Sequence, residues 1–147
     1  MLYLNYEELR RDYLKIQCRY NEILREKENL FLKTQPQTAR FGTDSYIKGA
    51  KDNSFDSYLI AKEHRCIDAR LEEAKALLND LKELLKIKEQ ELRNSKDSHD
   101  KIYRMKYIDG YKTIKIATAL GYDKSSVYRI LHIIDENIRN EIKVATK

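Results

Sequence analysis

Between Lys112 and His132 the sequence gathers side chains that donate hydrogen bonds and carry positive charge. Lys112, Lys115, Lys124, Arg129 and His132 alternate there with the hydroxyls of Thr113, Ser125, Ser126 and Tyr128. Groups of this kind neutralise phosphates and read base edges; they do not by themselves make or break bonds. The distribution of charge points the same way. Residues 101–132 carry seven Lys/Arg against two Asp/Glu, an excess equal to the whole formal net charge of +5, whereas residues 1–94 are nearly balanced at 18 against 17. A solvated helix surface scatters its charges, whereas a single basic window is the electrostatic footprint expected for a polyanion.

Other chemistries find little to work with. The chain has no Gly-rich phosphate loop, no HExxH and no GxSxG, so no catalytic residue and no cofactor are expected. Its three histidines, His64, His99 and His132, stand apart from one another, and His132 is best read as facing a DNA groove. His64 precedes Cys66 by two residues, but helix positions two apart do not face each other, so no metal site is expected. Cys18 and Cys66 lack the short spacing of a metal or redox motif and read as free thiols of a reducing cytoplasm. The apolar runs are far short of the roughly 20 residues that span a bilayer, and no signal-peptide core precedes the first helix. The expectation is a soluble cytoplasmic protein with no membrane partner.

The elements that would position the basic side chains are three short helices, at about 99–108, at about 113–120, and from about Lys124 onward. Asp97 or Ser98 can cap the first helix, and Gly110 ends it. Gly121 ends the second, at a position where glycine adopts a left-handed conformation cheaply. Asp123 is placed to cap the third. Ile116, Ala117 and Leu120 form one face of the second helix, and Val127, Ile130, Leu131 and Ile134 form the inner face of the third. At 100° per residue the opposite face of the third helix carries Ser125, Tyr128, Arg129 and His132, flanked by Lys124 and Ser126. Two helices joined by so short a turn form a helix-turn-helix, whose second helix enters the major groove by its N-terminal end. Base reading is therefore expected from Lys124, Ser125, Ser126, Tyr128, Arg129 and His132. Phosphate contacts are expected from Lys112, Thr113 and Lys115.

Tyr107, Gly110, Ile116, Ala117, Leu120, Gly121, Ser125, Ser126, Val127 and Arg129 fit a spaced pattern. The pattern resembles the promoter-reading C-terminal domain of sigma-70-class factors, known as region 4, and the related regulators of phage late genes. With the helices that precede it, over roughly residues 50–140, the layout resembles ArpU/RinA-type phage transcriptional regulators. The resemblance implies that Lys124, Ser125, Ser126, Tyr128 and Arg129 read DNA. It also implies host RNA polymerase as a further partner, and a bacterial host cell as the setting. Lys112 departs from the pattern where it has Ser or Thr, so the cap of the second helix must move to Thr113 or be lost. Lys115 departs from it where it has Glu, which adds attraction for phosphate.

The rest of the chain reads as two long helices. Only four Gly and one Pro occur in 147 residues, 36% of which are charged, and the mean hydropathy is -0.74. Such a balance suits long amphipathic helices and an all-α fold. Tyr6, Leu9, Tyr13, Ile16, Tyr20, Ile23, Lys27 and Leu30 alternate at three and four residues, as the seam of a coiled coil does, with Leu24 and Phe31 widening it. Tyrosines on such a seam suggest packing rather than base stacking. After a basic, flexible loop over 34–53, which contains the only Pro, a second helix is expected from an N-cap at Asn53 or Ser54 to about Asn94. Its seam is Ile60, His64, Ile67, Leu71, Ala74, Leu78, Leu81, Leu85, Lys88 and Leu92. Residues 1–96 thus form a helical hairpin and oligomerisation region, and residues 97–147 a helix-turn-helix domain. Leu77 and Leu84 broaden the second seam beyond what one partner helix covers, so Leu77, Leu78, Leu81, Leu84 and Leu85 are expected to hold a homodimer.

These features predict a sequence-specific regulator of transcription, of phage or prophage origin, that binds double-stranded DNA. A coiled-coil adaptor, a small-terminase-like packaging component and an interaction module acting on host machinery would use the same helices. Terminase-like subunits usually place the DNA-binding helices first; the reverse order here favours a regulator.

Overall fold

The computed structural model describes residues 1–34 and 54–147. Apart from Thr34, the expected loop 34–53 lies outside the described residues, and so does the N-cap position Asn53. The regular elements among the described residues are all helices, with no strand among them. Helix α1 spans Leu2–Thr34 and α2 spans Ser54–Asn94. Helix α3 spans Ser98–Tyr103 and continues as a π-helical turn over Arg104–Ile108. Helix α4 spans Thr113–Leu120 and α5 spans Lys124–Ala145. None of these helices is long and apolar enough to cross a membrane.

The chain forms two compact units, one made of residues 15–79 and the other of residues 1–14 with 80–147. This division differs from the expected boundary near residue 96. The polar stretch from Asn94 to His99 does break the helix, but burial ignores that break, because Tyr3 and Leu92 are both 0% exposed in one core with the C-terminal helices.

In the unit of residues 15–79, α1 and α2 pair through their seams. Ile23, Leu71 and Ala74 are buried, with Tyr20 and Ile67 packed against them. Lys27 bonds Asp68 at 2.7 Å and Arg70 bonds Glu26 at 2.9 Å. The later residue of one helix thus faces the earlier residue of the other, and the two run antiparallel. All four charged side chains are about half exposed, so these bridges fix register more than they add stability. Leu24 and Phe31, expected to widen the seam, are instead exposed, at 36% and 57%.

In the other unit, the start of α1 and the end of α2 join α3, α4 and α5. Ile102, Tyr103, Ile116, Ala117, Val127, Leu131 and Ile134 complete the core around Tyr3 and Leu92. Helix propensity alone would not hold segments as short as α3 and α4 in water; burial of one face of each does. The cap of α3 is Asp97, whose carboxylate accepts from the His99 N–H at 3.1 Å. Asp100, 2% exposed, accepts from the Tyr3 N–H at 3.1 Å and from the Ser95 hydroxyl at 2.8 Å. It therefore satisfies one of the unpaired donors in the first turn of α1, from 97 residues away in sequence.

Candidate nucleic-acid interface

The basic side chains stand on α3, α4, α5 and their turns, and the backbone there is closely specified. The π turn closes with the Asp109 N–H on the Arg104 carbonyl at 2.9 Å, and the Tyr111 N–H then bonds the Met105 carbonyl at 2.8 Å. Gly110, at φ +71°, makes the exit toward α4. Gly121, at φ +69°, ends α4 in the left-handed conformation, and the N–H groups of Gly121 and Tyr122 both turn back to the Ala117 carbonyl. Only Gly121, Tyr122 and Asp123 separate Leu120 from the start of α5 at Lys124.

Two of the expected caps are not made. Lys112 occupies the N-cap position of α4 with no side-chain hydrogen bond, so the cap is lost rather than moved to Thr113. Asp123 takes the extended N-cap geometry before α5, but its side chain bonds no backbone N–H. Both N-termini therefore present unsatisfied backbone donors and the positive end of a helix dipole.

The inner faces are close to those expected. Ile116 and Ala117 are buried with Leu120 packed beside them; Val127, Leu131 and Ile134 are buried with Ile130 beside them. On the outside, Lys112, Lys115, Lys124, Ser125, Tyr128, Arg129 and His132 are exposed, and Ser126 is half-buried. Thr113 departs from the expectation. It is 8% exposed, turned into the core as the first residue of α4, so its hydroxyl is not placed to meet a phosphate.

Aromatic rings stand beside two of the cations. Lys115 Nζ lies 4.0 Å from the centroid of Tyr111, and Lys124 Nζ lies 5.8 Å from that of Tyr128. Each ring face attracts its ammonium without neutralising it. Two carboxylates of this region are engaged elsewhere. Asp109 lies 3.5 Å from both Arg93 and Arg104, and Asp135 accepts from the Tyr107 hydroxyl, which ties α5 to the π turn. From Lys124 to Ile134 no acidic residue occurs.

Several positioning contacts carried no sequence signal. Tyr103 stacks on Tyr3 at 5.4 Å between centroids, meets Tyr6 edge-on at 6.2 Å, and donates its hydroxyl to Glu7. Asn137 donates to the Tyr3 hydroxyl at 2.9 Å. These partners lie 96 to 134 residues apart, beyond the reach of any local pattern. Tyr107 is the exception, since it belongs to the spaced pattern described above.

Of the residues expected at an oligomer interface, Leu77 and Leu84 are each 44% exposed, and Leu78, Leu81 and Leu85 are half-buried along the seam. His64 is half-buried beside an exposed Cys66, and both cysteines are free thiols. Among the described residues no group of three or more His, Cys, Asp or Glu side chains is placed to hold a metal ion. No protein-family model, no curated protein and no solved structure matches the chain.

Proposed function

We propose that the chain is a sequence-specific DNA-binding regulator of transcription, that α4 and α5 act as its helix-turn-helix, and that it acts by binding rather than by catalysis. The observation that carries this function is the outer face of α5. Lys124, Ser125, Tyr128, Arg129 and His132 are exposed there on a helix whose opposite face is locked in the core, with no carboxylate among them. A rigid helix bearing donors and hydroxyls on one face suits the major groove. Lys112 and Lys115, at the uncapped start of α4, are suited to the flanking phosphates, where free backbone N–H groups add to the attraction. Origin in a phage or prophage, and contact with host RNA polymerase, rest on the resemblance to ArpU/RinA-type regulators and to sigma region 4.

The test is the salt dependence of binding to duplex DNA. Replacing Lys112 and Lys115 together by Gln is expected to weaken binding to every sequence. It should also lower the slope of log K against log salt by about 2, at about 0.9 per phosphate contact. An unchanged slope would mean that α4 does not face the backbone.

A further inference from the structure

We infer that the base recognised by this surface is guanine, read through its N7 and O6 acceptors by Arg129. This rests on the DNA-binding function proposed above and adds the chemistry of the site it selects.

The polar inventory of the surface is one-sided. Over residues 111–134 the long polar side chains are Lys112, Lys115, Lys124 and Arg129, all of them donors without an acceptor. The stretch contains no Asn, Gln or Glu, and its one Asp, Asp123, sits at the N-cap position of α5 rather than on its outer face. Each base offers a different pattern in the major groove. Adenine presents a donor beside an acceptor and is matched by Asn or Gln, cytosine presents a donor and is matched by a carboxylate, and guanine presents two adjacent acceptors. Thymine presents a single acceptor beside a methyl group, so guanine alone offers two adjacent acceptors to the donors of α5. Ser125, Tyr128 and His132 can donate or accept, so they accommodate neighbouring bases without reversing the preference.

Arg129 is also free to act. Arg70 and Arg93 each bond a carboxylate, and Arg104 lies beside Asp109. No hydrogen bond or ion pair engages Arg129 among the described residues, although it is exposed in the second turn of α5. Its planar fork can meet two acceptors at once, which an ammonium cannot. Lys124, one turn before Tyr128 and held beside its ring, adds a separate point charge near the start of the helix, five residues and about 140° round from Arg129.

The experiment is selection of duplexes from a random library by the full chain, followed by atom substitution in the selected site. A guanine at one fixed position is expected. Replacing it by 7-deazaguanine, which removes N7 and keeps the base pair, should weaken wild-type binding by about 5- to 150-fold. Arg129→Ala should abolish the preference at that position while salt-sensitive binding to unselected DNA persists. Selection of a site without a fixed guanine, or binding indifferent to 7-deazaguanine, overturns the inference and leaves DNA binding standing. Failure to bind any duplex at low salt overturns both.

Discussion

Tyr103 shows what one side chain contributes when distant parts of the chain converge on it. Its ring is buried among Tyr3, Tyr6 and Tyr107, and its hydroxyl donates to Glu7. Burial, and then the neighbouring Glu7 carboxylate, push its pKa well above the ordinary tyrosine value. The folded protein therefore keeps this proton at a pH where the unfolded chain releases it. The stabilisation is full below about pH 10 and is lost as pH rises toward the raised folded value, at about 1.4 kcal/mol per pH unit. Tyr103→Phe is expected to cost about 1 kcal/mol at neutral pH through the lost hydrogen bond. It should also make the alkaline fall in stability shallower, measured by urea unfolding between pH 7 and 11. A fall as steep in the variant as in the wild type would mean that Tyr103 is not the group responsible. Neither Glu7 nor Asp100 could be recognised as a partner from sequence, because each acts on a residue near the other end of the chain. The exposed cations of α5 were legible, because a helix with one apolar face leaves its opposite face to solvent.

At the level of elements, the proposed DNA-binding role sets folding against binding in α4. Its N-cap position holds Lys112, which bonds no backbone N–H, where Ser would satisfy one. Lys112→Ser is expected to stabilise the fold by about 1 kcal/mol. For a chain of this size that raises Tm by about 2–4 °C. If α4 faces the DNA backbone as proposed, the same substitution removes one phosphate contact and should weaken binding to all duplexes. A variant neither more stable nor weaker in binding would show that Lys112 is an ordinary surface residue. The short helices were readable because Gly110 and Gly121 mark the places where the backbone turns left-handed. The π turn was not, because its wider hydrogen bonds leave the apolar spacing of so short a segment almost unchanged. Thr113 is buried although α4 begins where expected, because at 100° per residue it falls on the same face as Ile116, Ala117 and Leu120.

Across the whole molecule, the seams of both long helices were legible as alternating threes and fours, and the buried Ile23, Leu71, Ala74 and Leu92 all lie on them. The grouping into compact units was not. Composition marks a polar break at residues 94–99 but says nothing of the core that Tyr3 and Leu92 share with α3, α4 and α5. Leu77 and Leu84 remain substantially exposed on α2. We propose that a second copy covers them, which would present two α5 helices to a repeated or two-fold symmetric site. Leu77→Glu combined with Leu84→Glu should then reduce the mass measured by light scattering to that of one chain and weaken DNA binding. A wild type already monomeric at micromolar concentration would contradict the dimer.

The most direct measurement of the central claim is a footprint of the full chain on duplex DNA flanking its own gene. Protection of a discrete site is expected at concentrations that leave unrelated DNA of equal length uncovered. The site should be lost when Arg129 and Lys124 are both replaced by Ala. Uniform coverage of all DNA, or no protection at any concentration at low salt, would contradict sequence-specific binding by α5.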